Sequence, residues 1–120
     1  VATDHTTRPS AAETAAKRAR LLATLIGELL HVARLEHRKS EQEAADRAKT
    51  SRNTLRKVER GNPAVSMGTV LALCATLGVA LPAVTGERDI QEQIRMARLR
   101  RDALPKRVRD SKKDESFDAF

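Results

Sequence analysis

The chain has 120 residues, is 40% hydrophobic but only 2% aromatic, and carries a formal net charge of +7 with a pI near 10.3. That length holds one small domain. The core must come from Leu, Val, Ile and Ala, which favours helices, since aromatic and β-branched residues are sparse. A basic surface on so small a domain points to a polyanion, most often nucleic acid, rather than to solubility alone.

Residues 1–10 are polar, with Thr3, Thr6, Thr7 and Pro9, and read as a disordered lead-in. Ser10 is placed to cap a helix beginning near Ala11, with Glu13 in its first turn. Leu22, Leu25, Ile26, Leu29, Leu30 and Ala33 then form an apolar stripe at helical spacing, so one helix can run to His37. Lys17, Arg18 and Arg20 lie on its exposed side. Its first half is either an extension used for dimerisation or a segment that frays.

Ser40 to Gly61, SEQEAADRAKTSRNTLRKVERG, reads as two short helices joined by a tight turn. Ser40 and Glu43 make a capping box. Ala44, Ala45 and Ala48 provide a small, close-packing face. After a break at Lys49-Thr50, Ser51 caps a second helix, Arg52 to Arg60, with Leu55 and Val58 on its inner face. Gly61 supplies the left-handed residue that ends it. The outer face carries Arg52, Asn53, Arg56 and Lys57, a set that can enter the major groove and read bases.

A loop follows, Asn62-Pro63-Ala64-Val65. Ser66 caps a helix over Met67 to Leu77, with Val70, Leu73, Cys74 and Leu77 inward and Gly78 at its end. Cys74, the single cysteine, cannot make an internal disulfide and reads as a small core residue. Val79, Leu81 and Val84 look like the short fifth helix of the family that the motif resembles (below), and Pro82 fits its first turn. A further helix is expected from Asp89 to Leu104, with Ile90, Ile94 and Ala97 on one face. Arg95, Arg98, Arg100 and Arg101 crowd its C-terminal half, either as a solvated face or as a complement to the helix dipole. Pro105 ends it. Lys106 to Lys113 is basic and can add salt-sensitive DNA affinity. Asp114 to Phe120 is acidic and holds both phenylalanines, Phe117 and Phe120. These could dock on a partner protein, or the segment could be an idle terminus. The whole stretch 106–120 reads as disordered in isolation.

Catalytic and metal chemistry find no footing. His5, His31 and His37 stand at no metal-ligand spacing, and Glu41 and Glu43 are explained by helix capping. No phosphate-binding glycine loop or nucleophile elbow is present. The chain reads as a non-enzyme without metal or cofactor. With no apolar run of membrane-spanning length and no signal peptide, a cytoplasmic, nucleoid-associated protein is expected.

Ser40-x-x-Glu43-x-Ala45, Ser51, Thr54-Leu55 and Glu59-x-Gly61 resemble the helix-turn-helix of the phage-repressor and Cro superfamily, the XRE family, over about Leu22 to Val79. The resemblance implies an all-α, five-helix, lambda-repressor-like DNA-binding domain over residues 11–86. A C-terminal helix over 87–105 and the charged tail are additional to it. It implies a transcriptional repressor acting as a homodimer on double-stranded operator DNA. Arg52, Asn53 and Lys57 would then face base edges. Arg38, Lys39, Glu41, Ser51, Thr54, Arg56 and Asn62 would lie along the backbone. The family commonly pairs an Arg of the first helix with the Glu that ends the recognition helix, which by position are Arg34 and Glu59. This chain departs from the family at two places. Glu41 stands where the family has Gln, which touches phosphate and braces the recognition helix. Lys49 stands where the turn has Gly, so it must adopt a left-handed backbone or reshape the turn. Val65 to Leu71, the segment Leu104 to Arg109 and the acidic Phe tail are similar to HipB-type antitoxins, which repress their own operon and bind a HipA-type kinase toxin. A stand-alone XRE-family regulator, and an interaction module that has lost DNA binding, are the alternatives.

Overall fold

A computed structural model describes residues 8–108. The expectations for the first seven residues and for 109–120, including Phe117 and Phe120, lie outside the described residues. Five α-helices make up the described fold: α1 (Ala11–Glu36), α2 (Glu41–Arg47), α3 (Arg52–Glu59), α4 (Met67–Leu77) and α5 (Glu87–Asp102).

Four of the five starts are capped by a serine whose hydroxyl accepts a backbone N–H three residues on: Ser10, Ser40, Ser51 and Ser66. At Ser10 and Ser40 the box is closed, because Glu13 and Glu43 reach back to the cap N–H. The ends are equally local. Gly61 and Gly78 take left-handed backbones with φ of 81° and 68°. Lys49 does the same with φ of 55°, and the Thr50 N–H donates to the Ala45 carbonyl at 2.9 Å. The turn of the motif is therefore kept by a strained lysine in the place of glycine. Arg38, with φ of 54°, ends α1 in the same manner.

α1 serves two cores. Leu30 and Ala33 meet Ala44 and Ala45 of α2, Leu55 and Val58 of α3, and Leu73, Cys74 and Leu77 of α4. Leu25, on another side of α1, packs with Ile90 and Ile94 of α5, flanked by Leu21, Leu22, Leu29 and Val84. Fully burying Ile90 and Ile94 stabilises the α5 docking by roughly 1.5–3 kcal/mol each. Burial also pushes the Cys74 thiol up, as suits a core residue. The first ten residues of α1 are almost all exposed and extend past both cores.

The expected short helix at Val79 to Val84 does not form. Residues 79–85 run without helical hydrogen bonding from Gly78 to α5. Pro82 disfavours helical backbone at Leu81, so only a few residues remain before Gly86, too few to recover the cost of nucleation. Val84 still packs, but against the α1–α5 core. The fifth helix is thus α5, beginning at Glu87. Asp89 lies in its first turn, where its carboxylate accepts the Thr85 N–H at 2.9 Å.

Candidate nucleic-acid interface

The orientation of α3 follows from its sequence. At about 100° per residue, Arg52, Asn53, Arg56, Lys57 and Arg60 fall within an arc of roughly 140°, opposite Leu55 and Val58. Burial of Leu55 and Val58 turns that arc outward, and Arg52, Asn53, Lys57 and Arg60 are exposed. Ser51 and Thr54 are engaged in the cap, where the Ser51 hydroxyl donates to that of Thr54 at 2.9 Å. Asn62 is exposed, and its side-chain oxygen accepts the Ala64 N–H at 2.8 Å, which shapes the loop after α3.

The base of α3 is fixed to α1 by close backbone approach. A Cβ on Gly27 would stand 2.4 Å from the Val58 carbonyl oxygen and 2.9 Å from that of Glu59. One on Gly61 would stand 2.8 Å from the Thr24 Cα. An interior helix glycine such as Gly27 is costly unless another chain must pass that close, and here it must. The signal was present in the run Leu25-Ile26-Gly27-Glu28.

Arg34 and Glu59 complete the joint. Both are almost fully buried, and the Arg34 Nε and Nη2 donate to the two Glu59 carboxylate oxygens at 2.8 and 3.1 Å. Arg34 Nη1 also donates to the Lys39 carbonyl at 3.1 Å, across the left-handed turn at Arg38. Such a pair fixes geometry more than it adds net stability. His31 lies beside it, 4.0 Å from Glu59. Burial lowers the His31 pKa below its ordinary value, opposed by Glu59 and assisted by Arg34.

Glu41 is engaged by Arg56. The Arg56 Nε donates to both Glu41 oxygens at 3.1 Å, and Nη2 donates to Oε1 at 3.0 Å. This hydrogen bonding holds the Glu41 carboxyl below the ordinary carboxylate range. Glu41 therefore ties α2 to α3, and Arg56 presents to solvent a charge already partly neutralised. Arg38 is exposed, while Lys39 is half-buried with its carbonyl turned to Arg34.

Sequence reasoning missed Glu28. It is only 4% exposed, yet it accepts from the Arg98 Nε at 2.6 Å and from the Arg101 Nη1 at 2.6 and 2.9 Å. Arg100 pairs with Glu36. The arginine cluster of α5 is thus largely an ionic seam against α1 rather than a freely solvated face. The available signal was the polar ladder Thr24, Glu28, His31 and Arg34, spaced by four, three and three residues beside the apolar stripe. Among the described residues, no group of His, Cys, Asp and Glu could hold a metal ion, and no helix is long and apolar enough to cross a membrane.

The helix-turn-helix domain family model matches residues 25–85, 61 of the 120 residues. The chain belongs to this helix-turn-helix family. The matched span runs from the second half of α1 through α4 and the extended strap after it. The domain is that of a DNA-binding regulator, and α5 lies outside the match. No curated protein and no solved structure matches the chain.

Proposed function

We propose that the chain is a sequence-specific transcriptional repressor that binds operator DNA as a homodimer and reads bases with Arg52, Asn53 and Lys57. The observation that carries this reading is the outward arc of α3, whose first turn presents a guanidinium and an amide with no carboxylate paired to either among the described residues. Arg can bridge guanine O6 and N7, and Asn can bridge adenine N6 and N7. Arg38, Lys39, Ser51, Thr54, Arg56 and Asn62 then set the register along the backbone, and Arg34 with Glu59 holds α3 at its angle.

In its narrower form the protein is the autoregulating antitoxin of a HipA-type kinase toxin. The sequence similarity over Val65 to Leu71 and in the tail supports that form, with Phe117 and Phe120 as docking residues.

Binding to the promoter upstream of its own gene tests the first claim. Arg52→Ala or Asn53→Ala should lose about 1–3 kcal/mol on the operator and relax preference at one base pair per half-site. Equal losses on operator and random DNA would remove the base-reading assignment. For the narrower claim, truncation after Lys113 should leave operator binding intact and weaken capture of a kinase encoded beside it. Equal capture by the full and shortened chains would remove the antitoxin reading.

A further inference from the structure

A wide cleft opens beside α3, between α1, the start of α2 and the C-terminal end of α5, and residues 106–108 lie along its rim. Eight basic side chains line it, against the three carboxylates Glu28, Glu41 and Glu59. All three carboxylates are engaged: Glu59 by Arg34, Glu41 by Arg56, and Glu28 by both Arg98 and Arg101. Arg60, Lys106 and Arg107 are exposed at the cleft and have no carboxylate within ion-pair distance among the described residues. A concave wall with this excess of one charge focuses a positive potential into the space it encloses.

The cleft is continuous with the reading face. Arg52 stands on both, and Ser40 and Gln42, from the end of α2 that flanks the motif, form part of its wall. We propose that the cleft carries the DNA sugar-phosphate backbone flanking the groove that α3 enters, with Arg60, Lys106 and Arg107 as its phosphate ligands. The inference rests on the DNA-binding reading above and adds to it a contact to which Lys106 and Arg107, beyond the matched family span, contribute. α5 is the means. Glu28 clamps its last turns through Arg98 and Arg101, and that clamp holds the end of α5 so that Lys106 and Arg107 line the same cleft as α3. The ligand is a phosphodiester chain, bound without regard to base sequence.

The full chain with Arg60→Ala, Lys106→Ala and Arg107→Ala tests this, since none of the three side chains takes part in either core. The plot of log binding constant against log salt should lose about 0.9 in slope for each phosphate contact removed, while the base preference at the operator is retained. Lengthening the duplex by about half a helical turn, roughly 5 base pairs, at each end should tighten binding of the wild type and not of the triple variant. An unchanged salt slope with operator binding intact overturns the cleft contact and leaves the DNA-binding reading standing. A wild-type chain that binds no DNA at low salt overturns both.

Discussion

The carboxylate of Glu41 and the guanidinium of Arg56 face each other across the helix-turn-helix, joined by three hydrogen bonds of 3.0 to 3.1 Å. The pair brings together the chain's departure from the family's glutamine and a residue expected on the DNA backbone. It shows how a negative charge is accommodated at the start of α2: it is spent within the protein, on the recognition helix. A glutamine could accept from Arg56 through its side-chain oxygen, but it would leave the guanidinium its full charge.

Glu41→Gln should therefore tighten operator binding by about 3–10-fold and steepen the salt dependence by up to about 0.9, as Arg56, partly neutralised by Glu41 in the wild type, meets its phosphate with full charge. Titration of operator DNA at several salt concentrations measures both. Weaker binding with an unchanged slope would mean that the carboxylate positions Arg56 and that the glutamine cannot.

The buried Arg34–Glu59 pair predicts strong coupling. Removing either partner leaves the other charge without its counterion in a nearly dry site, and Arg34→Ala or Glu59→Ala should destabilise the domain by about 3 kcal/mol. The double replacement should lose clearly less than the two single losses combined. Urea unfolding of the four proteins reads the coupling, and additive losses would show that the two charges act independently.

Two glycine exchanges should have opposite signs. Gly27→Ala would gain about 1 kcal/mol of helix propensity, but its Cβ would lie 2.4 Å from a main-chain oxygen that cannot rotate away. The net effect should be a loss of about 2 kcal/mol, with α3 displaced. Lys49→Gly relieves a left-handed lysine and should gain up to about 1 kcal/mol. Thermal unfolding distinguishes the two, and stabilisation by Gly27→Ala would disprove the backbone contact.

His31 gives the fold a pH dependence whose sign is set by burial. Its folded pKa is lower than the ordinary value of 6.5, so below that value the unfolded chain binds a proton that the folded one refuses. Stability should be undiminished above pH 6.5 and fall as the pH drops through 6.5 towards the folded pKa, below which the loss is complete. His31→Gln should flatten the profile as the pH drops below 6.5. An equally steep profile in that variant would place the titration elsewhere.

The local elements were legible in the sequence because their causes are local. Each of Ser10, Ser40, Ser51 and Ser66 bonds a backbone N–H three residues away, and Gly61 and Gly78 each end a helix within the same turn. The outward arc of α3 was legible as well, since the burial of Leu55 and Val58 sets where Arg52, Asn53 and Lys57 point. Pairings across the fold were not. Spacing showed that α1 is apolar, but not that Leu30 would face α2 to α4 while Leu25 would face α5. It showed arginines on α5, but not that two of them would meet Glu28, some 70 residues earlier in the chain. Periodicity is a property of one helix and records only which side is buried. Which helix buries it, and which charge answers which, depends on how the chain closes. Only the tertiary structure could show Glu41 engaged by Arg56, Lys49 held left-handed, and the end of α5 lining one cleft with α3.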